Sequence, residues 1–67
     1  MVVEKLPELI KQLKDIDPEK RRRAIFALKS LGSEARDALP AIREAMKDPD
    51  WYVASLAAEL IYLLKNR

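Results

Sequence analysis

Apolar residues return every three or four positions along nearly the whole chain, the spacing of one face of an α-helix. Val2, Val3, Leu6, Leu9, Ile10 and Leu13 form the first such stripe and predict a helix over about residues 2–15. The pattern breaks at Asp15-Ile16-Asp17-Pro18-Glu19, where aspartate can cap a helix and proline suits a first helical turn. A second helix follows over about residues 18–31, with Ala24, Ala27, Leu28 and Leu31 inward and Gly32 as the residue that ends it. Ser33 is the expected cap of a third helix over about 34–47, whose inward side reads Ala35, Ala38, Leu39, Ile42, Ala45 and Met46. Asp48 and Pro49 repeat the cap-and-proline signal, and a fourth helix runs to about residue 65. No stretch alternates with period two and no Asn-Gly or Asp-Gly turn occurs, so no strand is expected.

These elements repeat. Shifted by 33 positions, Leu6-Pro7 falls on Leu39-Pro40, Lys14-Asp15 on Lys47-Asp48, and Asp17 on Asp50. The apolar positions Leu9 and Ile42, Leu13 and Met46, Ala24 and Ala57, Leu28 and Ile61, and Leu31 and Leu64 also coincide. Self-similarity at this period marks a stacked helical repeat. The expected fold is all-α, with four antiparallel helices forming two helical hairpins in a single domain over residues 1–67.

The stretch from Asp17 to Leu64 resembles HEAT repeats, in particular the short kind of phycobilisome-lyase-like proteins and artificial repeat scaffolds. The resemblance rests on the Asp-Pro before the outer helix, the Ala-rich outer helix with Leu28 and Leu31, Gly32, and then Ala38-Leu39-Pro40-Ala41-Ile42 with the Met46-Lys47-Asp48 close of the inner helix. It implies an α-solenoid fragment whose role is scaffolding or binding a protein or peptide, in a groove between the first and third helices. It also implies that an arginine early in the outer helix joins a ladder between repeats. Arg21 matches that position, but its counterpart is Ala54, so the resemblance implies no continuing ladder. The regular caps, short loops and lack of terminal capping repeats are similar to designed repeat proteins.

Composition narrows the function. A chain of 67 residues buries only about 60% of its extended surface, so its own core leaves it marginal. It has no cysteine or histidine, which removes disulfides, the usual zinc sites and the common general bases. What remains to stabilise so small a scaffold is regular helix packing or oligomerisation. With a single glycine there is no phosphate-cradling loop. Asp15 with Asp17, and Asp48 with Asp50, could hold a cation, but their recurrence beside proline reads as helix capping. No enzyme activity, cofactor, metal or small-molecule substrate is expected. Thirteen basic and eleven acidic residues give a net charge of +2, which argues against nucleic acid as the main partner. The run Lys20-Arg21-Arg22-Arg23 spreads over four directions of a helix, with Arg21 toward the packed flank and Arg22 and Arg23 toward solvent. The fourteen residues 51–64 span about 21 Å, short of a bilayer core of about 30 Å, so the chain reads as soluble.

Those same fourteen residues hold the remaining anomaly, because twelve of them are apolar or aromatic. Val53, Ala57, Leu60, Ile61 and Leu64 suffice for the core. On the outward stripe, Glu19, Arg23, Phe26 and Ser30 of the second helix become Tyr52, Leu56, Glu59 and Leu63. Trp51 and Tyr62 add aromatic surface beside them. A row of Phe26, Trp51, Tyr52, Leu56, Glu59, Tyr62 and Leu63 exceeds what a monomer normally exposes and predicts self-association, with a two-fold dimer favoured over a ring.

Overall fold

The computed structural model describes residues 5–65. The predicted Val2 and Val3 of the first stripe lie outside the described residues. Four α-helices follow one another: α1 (Leu6–Gln12), α2 (Pro18–Leu31), α3 (Leu39–Ala45) and α4 (Trp51–Lys65), with a 3-10 helix, Gly32–Ala38, between α2 and α3. The described residues contain helices and turns and no strand. α1 packs on α2, α3 on α4 and α2 on α4, while the 3-10 segment touches all four. Two hairpins thus stand side by side, with α2 and α4 forming the outer layer.

The two corners within the hairpins are built alike. Each inner helix closes on a tight turn, in which Asp15 N–H bonds Gln12 O and Asp48 N–H bonds Ala45 O, both at 3.1 Å. The first aspartate then accepts the N–H two residues on: Asp17 N–H to Asp15 and Asp50 N–H to Asp48, both 2.8 Å. The second aspartate caps the outer helix, Asp17 accepting from Glu19 N–H and Asp50 from Tyr52 N–H, both at 2.9 Å. Each Asp-X-Asp therefore satisfies orphan backbone donors in sequence. The cap of α4 is Asp50 and not the predicted Asp48. Pro49 stands before the cap, whereas Pro18 stands after its own, because the shared register is that of the aspartates.

The third helix departs from expectation. Residues 32–38 are 3-10, and Ser33 makes no capping bond. The reason lies in Pro40, which has no N–H to give to the carbonyl of Arg36, four residues back. Leu39 N–H supplies that donor from three residues away, which is 3-10 pairing. Ala35 and Ala38 are fully buried there, and their small side chains let the segment sit at the centre of the four helices.

A continuous core joins Leu6 and Leu13, Ala24, Ile25 and Leu28, Ala35 and Ala38, Ile42 and Ala45, and Val53, Ala57, Leu60, Ile61 and Leu64. Ile25 is completely buried although the stripe of α2 did not include it; Ala27 and Leu31 are only half-buried and Met46 is exposed. Ile25 lies on the flank of α2 rather than on its central stripe, and α2 packs against both α1 and α4.

Gly32 ends α2 at φ +62°, ψ −129°, a conformation closed to L side chains. A Cβ there would meet nothing within 4 Å, so the constraint is purely backbone. Gly32→Ala should cost about 1–3 kcal/mol in chemical denaturation, while D-alanine at the same position in synthetic protein should be neutral or slightly stabilising. Equal stability of the two alanine enantiomers would contradict this.

Candidate functional site

The outer layer is where α2 and α4 meet solvent, and its geometry begins at the corners. Arg21, in the second turn of α2, turns back across both units. Its guanidinium donates to the carbonyls of Asp15 (2.7 Å) and Ile16 (3.0 Å) in the first corner. It also grips both carboxylate oxygens of Asp48 in the second corner, at 2.8 and 3.3 Å. Arg22 reaches Asp50 at 2.7 Å. The Arg21–Asp48 contact is shielded on both sides, with 16% and 7% of the side chains exposed, whereas Arg22 in the Asp50 contact keeps 48% of its side chain open to water. Arg22 is exposed, as expected, and its guanidinium reaches across to the Asp50 cap. With two of its four cations engaged, the run from Lys20 to Arg23 serves mainly to join the units.

The hydrogen bond from Arg22 is the main cause that holds the Asp50 carboxyl below the ordinary carboxylate range, aided by the N–H groups of Val53 and Tyr52 and opposed by burial. The same bond raises the Arg22 guanidinium.

Farther along the outer face, the predicted surface residues divide. Phe26 (58% exposed), Tyr52 (38%) and Leu63 (42%) are open to solvent, as are Trp51 (79%) and Tyr62 (66%). Phe26 and Tyr52 line one shallow groove with Glu19, Arg22 and Arg23, so α2 and α4 contribute to a common surface. Tyr52, Leu56, Glu59 and Leu63 follow the 4-3-4 spacing of one helical row, and Trp51 and Tyr62, eleven positions apart, share an adjacent one. Leu56 is the exception among the apolar members, being half-buried and packed against the core. Glu59 pairs with Lys29 at 3.1 Å across the two helices. Exposed on both sides, that bridge adds little stability. Ile16, almost fully exposed, was not singled out by the sequence because a lone apolar residue between two aspartates carries no periodic signal.

On the inner side, Ile10, Ala38, Pro40 and Ala41 floor a second shallow groove between α1 and α3, rimmed by Lys14, Asp37 and Glu44. Among the described residues no group of three or more His, Cys, Asp and Glu could hold a metal ion, and no helix is long and apolar enough to cross a membrane.

Two like hairpins, stacked in parallel register with matching corners and two arginines bridging them, form a helical repeat pair. The family model for HEAT repeats matches residues 6–66. The chain belongs to the HEAT-repeat family. No curated protein and no solved structure matches it. As a HEAT-repeat protein it is a helical scaffold, and the family's general role is structural or in binding rather than in catalysis. Arg21 makes its contact with Asp48, while the equivalent position in the second unit is Ala54.

Two measurements test these corners. In a double-mutant cycle of Arg21→Ala and Asp48→Asn, the two changes should couple by about 1–3 kcal/mol, because either alone strands a shielded partner. Asp50 has a lowered folded pKa, so its pairing stabilises the protein above the unfolded value of about 3.9 and is lost as pH falls through the folded value. The stability gap between the parent and Arg22→Ala should therefore close as pH drops below about 4. A gap unchanged down to pH 2 would place its origin elsewhere.

Proposed function

We propose that this HEAT-repeat protein is a structural scaffold that assembles with copies of itself through the outer face of α4 and the adjacent part of α2. The observation that carries this is the cluster of large exposed apolar residues on those two helices: Phe26, Trp51, Tyr52, Tyr62 and Leu63. Exposed apolar surface that gathers into a patch of a few hundred Å² marks an interface. At about 25 cal/mol per Å², covering it contributes several kcal/mol, comparable with the stability of so small a domain.

Two-fold pairing suits the chain better than head-to-tail stacking. In head-to-tail contact the α4 edge of one copy would meet the first corner of the next, and α4 carries Ala54 and Ser55 where α2 carries Arg21 and Arg22. The bridge that joins the two units could not be repeated. A patch that meets itself closes as a dimer. Partnering through the outer face calls for no cofactor, metal, nucleic acid or small-molecule substrate, and the regular corners support a designed origin within the same reading. The inner groove offers a second surface for a peptide, but its apolar floor includes only small residues and one isoleucine, a weaker anchor than the aromatic outer face.

Sedimentation equilibrium should show a mass larger than one chain that falls on dilution. Phe26→Glu with Leu63→Glu should yield a folded monomer, judged by retained helical circular dichroism, since both side chains are exposed in the single chain. Leu56→Glu would not serve, because Leu56 also packs against the core. A parent that sediments as a monomer, or an assembly that survives the double change, overturns the proposal.

A further inference from the structure

Trp51 opens α4 and is 79% exposed, the largest apolar side chain left open among the described residues. Its counterpart in the first unit is Pro18, and it takes no part in the core, so neither the repeat nor the packing calls for an indole at this place. The turn that carries it is nevertheless fixed. Asp50, one position before, accepts the N–H groups of Tyr52 and Val53 at 2.9 and 3.2 Å.

Tyr52, the next residue, lines the hollow on the outer face together with Glu19, Arg22, Arg23 and Phe26, whereas Trp51 of the same chain does not. The hollow measures about 380 Å³, at the low end of the roughly 300–1,000 Å³ of ligand pockets, and so suits a single ring system rather than a larger body. Its walls differ in chemistry. Phe26 and Tyr52 supply aromatic surface, and Arg22 is held by Asp50 at 2.7 Å. Among the described residues Arg23 makes no ion pair, and the Glu19 carboxylate accepts no hydrogen bond.

Granted the outer-face dimer, on which this reading rests, we propose that Trp51 of each copy seats in the Phe26–Tyr52 hollow of the other. An indole uses every wall of that hollow. Its ring packs on the two aromatic side chains, its π face receives the Arg23 guanidinium, and its N–H donates to the Glu19 carboxylate. Two-fold symmetry makes the exchange reciprocal, so two such contacts form in each dimer. A buried tryptophan covers roughly 150–250 Å², and two of them are a large share of what a small interface hides. Because Asp50 already holds both Arg22 and the Tyr52 backbone, seating the indole requires little further ordering of the receiving side.

Trp51 is the only tryptophan, so its fluorescence reports this contact in the full-length chain. Its emission should move to shorter wavelength, and acrylamide quenching should fall, over the concentrations at which sedimentation shows the parent's mass rising. Trp51→Ala and Phe26→Glu, both at exposed positions, should each stay helical by circular dichroism and associate about tenfold more weakly or worse, since each loses both contacts. Mixed together they regain one, as Trp51 of the Phe26→Glu chain enters the intact hollow of the Trp51→Ala chain. Emission should therefore shift on mixing, and should not shift when the added chain carries both changes. An assembled parent whose Trp51 stays open to quencher, or a shift that persists in that control, would leave the hollow to another occupant. Either result overturns the exchange and leaves outer-face assembly in place, whereas a parent that sediments as a monomer removes both.

Discussion

One guanidinium ties the architecture together. Arg21 donates to two carbonyls at the end of the first hairpin's corner and to both oxygens of the aspartate that shapes the second. The planar fork of arginine makes this possible, since its donors diverge in fixed directions and a lysine could not serve both corners with the same geometry. Because Asp48 also accepts the backbone N–H of Asp50, the bridge holds an element that is already fixed, and little further ordering is needed to form it. The relative placement of the hairpins, and hence the outer surface formed jointly by α2 and α4, follows from this contact and from the apolar core beneath it.

The core itself is organised around small residues. Ala35 and Ala38 occupy the segment that touches all four helices, and larger side chains there would push the helices apart. Proline sets the position of that segment by leaving Arg36 without its α-helical donor, and glycine ends the helix before it. Local chemistry at Gly32 and Pro40 therefore decides where the two repeat units can approach. Ile25, completely buried, joins that core from the flank of α2.

Much of this was legible in the chain. The 33-residue repeat, the aspartate caps, Gly32 as a helix end and the core stripe of α4 all follow from local patterns, since capping and periodicity depend on neighbours within a few positions. The outer row from Phe26 to Leu63 was legible for the same reason, being the complement of that stripe. Less accessible were contacts that join distant residues. Arg22 is exposed as it read, but its bond to Asp50, twenty-eight positions away, leaves no local signal. Leu56 read as exposed because a helical wheel places it on the flank, yet it packs against the core and is half-buried.

The sequence by itself thus determined the elements, their order, the duplicated corners and the excess of apolar surface on α4, all of which arise from short-range backbone chemistry and residue spacing. Only the tertiary structure decided which of two like Asp-X-Asp corners is filled. Arg21 and Arg22 follow the first corner in the chain but reach the second for their carboxylates, because α2 lies against α4 and carries them there. Position in space, not proximity in sequence, gives one pair of aspartates its arginine partners.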